Sequence, residues 1–165
     1  MKNKRFKEKI EKYLKRQFGV TIDSASKRQV YEALMSTIRE DLSEKKFAYE
    51  QELKKTRQKR AYYMSMEFLV GRTLRNNLFN LDLEKDVREY FADNGISLDE
   101  IYDIEPDPGL GNGGLGRLAS CYLDALTSND YPVTGFSILY EYGIFKQVIN
   151  NGWQQEFPDY WLDLG

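Results

Sequence analysis

Gly109-Leu110-Gly111-Asn112-Gly113-Gly114-Leu115-Gly116-Arg117-Leu118-Ala119 is the stretch on which the reading of this chain turns. Five of the eight residues 109–116 are glycine. They stand directly before a run in which Leu118, Ala119, Tyr122 and Leu126 recur at helical spacing. Glycines let backbone N–H groups approach an anion with no Cβ in the way. A helix N-terminus adds unpaired donors and partial positive charge. Together they predict a site for phosphate or another oxyanion, with Asn112 adding a side-chain amide and Arg117 a full charge. A tight turn with close backbone packing would use the same residues, and residue types alone do not separate the two. Gly-x-Gly-x-x-Gly occurs twice in overlap, but the dinucleotide fingerprint needs a hydrophobic strand just upstream. Asp103-Ile104-Glu105-Pro106-Asp107-Pro108 stands there instead, acidic and broken by proline. No Gly-Lys-Ser/Thr follows, so a nucleotide P-loop is absent.

Outward from the loop, the order of elements reads as mixed α/β. Downstream, residues 133–139 and 144–149 read as strands, and Asn150-Asn151-Gly152 as a hairpin turn into Trp153-Gln154-Gln155-Glu156-Phe157. Upstream, residues 61–68 (Ala-Tyr-Tyr-Met-Ser-Met-Glu-Phe) read as a buried strand, short and apolar between charged flanks. A helical segment follows Gly71-Arg72 to Leu78, and another helix spans residues 83–93 with Val87, Tyr90 and Phe91 inward. Ser97-Leu98-Asp99-Glu100 fits a capping box. The first 60 residues read as helical. One helix covers about residues 3–18 with Gly19 past its end. A second, capped by Asp23 or Ser24, carries the stripe Val30, Leu34, Ile38 and Leu42, with a break near Ser43. The expected division is a helical region at 1–60 and an α/β region at 61–165, whose sheet is incomplete.

Composition excludes several chemistries. The 165 residues contain no histidine and one cysteine, Cys121. Ser-His-Asp and Cys-His catalysis, His-ligated metals and internal disulfides are therefore outside this chain. No metal site is expected. No apolar run approaches the roughly 20 residues of a membrane span, and the charged start does not resemble a signal peptide. The expectation is a cytoplasmic protein with no membrane partner. Residues 1–17 hold eight basic and two acidic side chains. A basic arm of this kind suits nucleic acid or an anionic surface. Phe6, Ile10, Tyr13, Leu14 and Phe18 fall at helical spacing among those charges, which favours the solvated face of a packed helix instead. No nucleic-acid partner is expected.

Three motifs in order carry a family resemblance. They are Tyr62-Tyr63-Met64-Ser65-Met66-Glu67-Phe68-Leu69-Val70-Gly71-Arg72, the glycine loop through Ala119, and Tyr140-Glu141-Tyr142-Gly143-Ile144-Phe145-Lys146-Gln147. Gly152-Trp153-Gln154 and Pro158-Asp159-Tyr160-Trp161-Leu162 continue it. From about Gln29 onward the chain resembles the amino-terminal region of glycogen and maltodextrin phosphorylases. The resemblance implies a two-domain, B-type glycosyltransferase fold with the active site between the domains. It implies cleavage of α-1,4-glucans (glycogen, starch or maltodextrin) by inorganic phosphate to give glucose 1-phosphate. It also implies a dimer or self-association, and pyridoxal 5′-phosphate bound to a lysine of a carboxy-terminal domain outside these residues. These residues alone would then be inactive and would not bind the cofactor.

By the same resemblance, Gly113 and Gly114 give amides near the substrate and cofactor phosphates. Leu115 offers its N–H to the glucosyl unit, Asn112 shapes the loop, and Glu67 lines the glucosyl pocket. On its own chemistry Glu67 also suits a strand-end carboxylate paired with an arginine. Ser137-Ile138-Leu139 departs from the family's more usual Gly-Ile-Arg. No regulatory phosphorylation segment is visible in residues 1–23, and Ser24 and Ser26 read as helix caps. A non-catalytic oligosaccharide-binding or protein-interaction module is the alternative reading, with Trp153, Tyr160 and Trp161 as stacking surfaces.

Overall fold

A computed structural model describes residues 2–162. The described residues group into two compact units: residues through Gln51 with Arg72–Pro106, and Glu52–Gly71 with residues 107 onward. The two units are interleaved in sequence.

The first unit is helical. Helix α1 (Lys2–Gln17) buries Phe6, Ile10 and Leu14 on one stripe. Gly19 follows at φ +69°, and its amide donates to the Lys15 carbonyl at 3.2 Å. Helix α2 (Lys27–Thr56) buries Val30, Leu34 and Ile38, while Leu42 is exposed. Helix α2 runs unbroken through Ser43. Its cap is Ser26, not Asp23 or Ser24. Ser26 Oγ accepts from the Gln29 N–H at 3.3 Å, and Gln29 Oε1 accepts from the Ser26 N–H at 2.8 Å, a reciprocal capping pair. Ser24 closes the preceding turn by donating to the Thr21 carbonyl.

Helices α3 (Leu74–Asn80), α4 (Glu84–Asp93) and α5 (Leu98–Tyr102) complete this core with Leu74, Leu78, Val87, Tyr90, Phe91, Leu98 and Ile101. Each such fully buried aliphatic or Phe side chain contributes about 1.5–3 kcal/mol. Ser97 makes no side-chain cap bond. The acids of the expected capping box go elsewhere: Asp99 pairs with Arg88 at 2.9 Å and Glu100 with Lys27 at 2.8 Å. The basic face of α1 is partly answered within its own unit. Lys9 pairs with Asp41 at 2.6 Å, Arg5 with Glu44 at 3.4 Å, and Lys7 lies 5.0 Å from the Tyr90 ring centre.

Glu105 lies next to the end of this unit's sequence and caps the start of one of its helices. It is 7% exposed. Its carboxylate accepts from the Thr73 N–H (2.8 Å), the Thr73 hydroxyl (3.1 Å) and the Leu74 N–H (3.0 Å). Thr73 itself makes no side-chain cap, so a side chain 31 residues away satisfies the orphan donors of α3.

The second unit is α/β. Strand β1 (Ala61–Met64) pairs in parallel with β2 (Val133–Phe136), Ala61 opposite Val133 and Met64 opposite Phe136. Helix α6 (Gly114–Ser128) packs on β2. Strands β3 (Lys146–Asn150) and β4 (Trp153–Phe157) form an antiparallel hairpin. Its turn residues Asn151 and Gly152 take φ +51° and +80°, the left-handed pair that a two-residue hairpin turn requires.

Two expectations are corrected here. The strand expected over 61–68 stops at Met64 and is exposed, Met64 by 80%. Ser65 diverts the chain: its hydroxyl donates to the Glu67 carbonyl at 2.8 Å and accepts the Glu67 N–H at 3.2 Å. On α6 the buried residues are Gly116, Ala119 and Ser120, while Leu118 and Tyr122 are exposed. Small residues face inward because the helix lies close to the chain at Glu67–Leu69.

Two outcomes test the first unit. Replacing Glu105 by alanine leaves buried N–H groups unpaired and is expected to cost about 1–3 kcal/mol, read from urea unfolding. The second concerns pH. Tyr90 is held above its ordinary pKa by burial first and then by its hydrogen bond to Glu11. Burial and the Glu84 charge push Tyr102 up to about 12. The unfolded chain ionises tyrosine near pH 10 while the folded unit resists, so the folded state binds more protons. Stability is full below that pH and falls as pH rises above it. Tyr90→Phe is expected to flatten the loss between about pH 10 and 12 in melting experiments.

Candidate functional site

The glycine loop lies in the second unit, and three close approaches shape it. Gly111 is buried, and a Cβ there would lie 3.0 Å from Leu69 Cβ and 3.1 Å from the Leu69 backbone nitrogen. At Gly116 a Cβ would meet Glu67 Cβ at 3.1 Å and Oε2 at 3.2 Å. At Gly109 it would meet Asp159 Oδ2 at 3.0 Å. Backbone bonds lock the same approach. Phe68 N–H donates to the Leu110 carbonyl and Leu69 N–H to the Gly116 carbonyl, both at 3.1 Å. A Cβ would crowd backbone at 111 and 116, and the end of the Asp159 side chain at 109.

Gly113 and Gly114 differ. A Cβ at either position meets nothing within 4 Å. Neither has positive φ: Gly113 is extended at φ −168°, and Gly114 begins α6. The amides of Gly114, Leu115 and Gly116 lie in the first turn of α6 and have no intrahelical acceptor. Leu115 is 61% exposed. The loop therefore divides into a packed side, at 109, 111 and 116, and an open side, at 113–115.

Glu67 joins the two sides. Its Oε2 accepts the Asn112 N–H at 3.2 Å. The carboxylate thus takes a backbone donor of the loop, not the arginine that its strand-end position suggested. The loop thereby brings Glu67, Asn112, Gly113, Gly114 and Leu115 into one neighbourhood of the second unit. Arg117 is exposed on the first turn of α6. Among the aromatic residues, Trp161 is tied down by donating its Nε1–H to the Tyr140 carbonyl at 2.9 Å. Trp153 and Tyr160 are exposed.

Beside the loop is a cleft of about 710 Å³, lined by Asp107, Asn112, Phe145, Lys146, Gln147 and Asp159 among others. Asp159 was not expected as a site residue. The glycines of two separate motifs, Gly109 and Gly143, are what make room for its side chain. No group of acidic and cysteine side chains among the described residues is arranged to hold a metal ion. No helix among them is long and apolar enough to cross a membrane.

A glycine loop that opens a helix on an α/β scaffold defines the class; comparison with known proteins supplies the family. Residues 91–165 match the family described as carbohydrate phosphorylase. The chain is 46% identical over 141 residues to a glycogen phosphorylase of Synechocystis and 44% over 145 residues to one of Chlamydia trachomatis. It is 45% identical over 141 residues to the brain form of Bos taurus. The matched stretches cover 86–88% of this chain but only 17–18% of those relatives. The chain belongs to the carbohydrate phosphorylase family.

The two sides of the loop predict opposite stability effects. Gly111→Ala forces Cβ onto the Leu69 backbone and is expected to cost about 1–3 kcal/mol. Gly113→Ala and Gly114→Ala are expected to stay within about 0.5 kcal/mol of the parent. Thermal melting of the three variants decides it.

Proposed function

We propose that this chain supplies part of an α-1,4-glucan phosphorylase, a glycosyltransferase that cleaves glycogen, starch or maltodextrin with inorganic phosphate and releases glucose 1-phosphate. The observation that supports it is the open glycine pair, Gly113 and Gly114. No turn and no packed neighbour requires glycine there, which leaves room for a ligand as its use. In this reading the amides at 113 and 114 hold phosphate, and Leu115 N–H faces the glucosyl unit. Asn112 presents its side-chain amide. Glu67 has Oε2 engaged by the Asn112 N–H and turns Oε1 to a sugar hydroxyl.

These donors are fixed before the substrate arrives. Their value lies in stabilising charge that develops as the glycosidic bond breaks, with little reorganisation at that moment. Pyridoxal 5′-phosphate, when bound, supplies a phosphate that works as an acid–base partner beside the substrate phosphate. The open strip at 113–114 suits a phosphoryl group, and the lysine that carries the cofactor belongs to the second domain of a B-type glycosyltransferase fold. The intact enzyme is read as a cytoplasmic homodimer.

The test is a chimera in which this chain replaces the matching stretch of a full-length relative. It is expected to release glucose 1-phosphate from maltodextrin and phosphate. Gly114→Ala in that chimera is expected to lose about 10²–10³ in kcat/KM, the scale of one preorganised donor, with its melting point unchanged. Near-normal turnover of Gly114→Ala would overturn the role of the loop, and an inactive parent chimera would overturn the function. The 165-residue chain alone, with cofactor added, is expected to show no phosphorolysis.

A further inference from the structure

Helix α1 presents three faces, and two of them are occupied within the first unit. Phe6, Ile10 and Leu14 are buried in the core. Lys7 and Glu11 both serve Tyr90, Lys7 over its ring and Glu11 by accepting a hydrogen bond from its hydroxyl at 3.0 Å. On the third face Arg5, Lys9, Lys12 and Arg16 stand at i, i+4, i+7 and i+11, a single basic stripe. The stripe lines a cleft of about 590 Å³, which Glu8 and, from α2, Glu40 also line. It is answered at one end only. Arg5 pairs with Glu44, and Lys9 with Glu40 and Asp41. Lys12 and Arg16 are exposed and make no ion pair among the described residues. Arg16 stands in the last turn, where the helix dipole favours a cation. Lys12 lies a turn earlier and has no such use. That end of the cleft is open to an anion.

The two carboxylates decide which anion. Glu8 and Glu40 can only accept hydrogen bonds, and they repel a continuous chain of phosphates. An extended peptide with acidic side chains carries a match for both kinds of group: carboxylates for the cations and backbone N–H donors for the glutamates. Its side chains on one side recur every second residue, roughly 6.6–6.8 Å apart. The stripe from Arg5 to Arg16 is roughly 16 Å long at 1.5 Å per residue, so roughly two or three same-side carboxylates match it. We propose that this cleft docks an extended acidic segment of a partner protein, with its carboxylates on Lys12 and Arg16 and its backbone N–H groups toward Glu8. The proposal stands apart from the glycine loop and from the function proposed for it.

The test is fluorescence anisotropy of a labelled peptide of alternating glutamate and serine, titrated with the 165-residue chain. Labelled single-stranded oligothymidylate and phosphatidylcholine–phosphatidylserine vesicles are run beside it. The peptide is expected to bind at low salt and to be released as salt rises past about 0.1 M, where the Debye length falls below about 10 Å. Lys12→Glu combined with Arg16→Glu is expected to weaken the peptide about tenfold. Lys12→Gln combined with Arg16→Gln, a milder change at the same exposed positions, is expected to weaken it in the same direction. Lys59→Glu combined with Lys85→Glu makes an equal change of charge elsewhere on the surface and is expected to leave binding within about twofold of the parent. Equal weakening by the two charge-reversed pairs would reduce the effect to net charge and overturn the proposal. So would parent-like binding by the glutamine pair, or no binding of the peptide at low salt. Tighter binding of oligothymidylate or of the vesicles than of the peptide would make the stripe a nucleic-acid or membrane surface and overturn it as well.

Discussion

The side chain of Glu67 occupies the space that a Cβ on Gly116 would need, 3.1 Å from Glu67 Cβ and 3.2 Å from Oε2. From that seat it takes the Asn112 N–H, while the next two residues donate backbone N–H groups to Leu110 and Gly116. Everything at the loop follows from this close approach. It requires glycine at 111 and 116, so that chain can pass against chain. It turns small residues of α6 inward, because a larger residue at the contact would hold the helix off. It also fixes the start of α6, and with it the direction in which the amides of Gly114 and Leu115 point. A donor held in this way loses little freedom when an anion arrives, which is the physical basis of preorganisation.

The first unit uses the same device for another end. Glu105 reaches the start of α3 and satisfies the Thr73 and Leu74 amides there. In both units a carboxylate distant in sequence takes the backbone donors that local capping leaves open. The difference lies in what remains. In the first unit Glu105 is buried and both its oxygens are used. At the loop one oxygen of Glu67 is used and the residue stays partly accessible. A carboxylate with both oxygens spent can only hold structure, whereas one with an oxygen to spare can also meet a ligand.

Within eight residues of sequence, crowded glycines alternate with open ones. Composition treats all five alike. Only the folded backbone distinguishes positions 109, 111 and 116, where atoms crowd the place of a Cβ, from 113 and 114, where none do. Gly114 does not take positive φ. It adopts ordinary helical backbone at the start of α6, so any penalty for substituting it falls on a ligand rather than on the fold.

Much of this protein is legible in its sequence because short-range rules govern it. The stripe Phe6, Ile10 and Leu14 has a 3.6-residue period and buries as one face of α1. Asn151-Gly152 turns the hairpin because both positions need positive φ. The motifs around Glu67, the loop and Asp159 carry the family directly. What needed the tertiary structure depends on partners far apart in the chain. Ser97 looks like a cap from its neighbours, yet the acids beside it pair with Arg88 and Lys27. Leu118 and Tyr122 lie on the face that periodicity marks as apolar, but the helix is oriented by its small residues against residues 67–69. Asp159 reaches the cleft beside the loop because Gly109 and Gly143 meet across about 35 residues of chain. Local pattern reports what a segment prefers. Which side of it is buried, and which polar group stays open, is set by the chain that happens to lie against it.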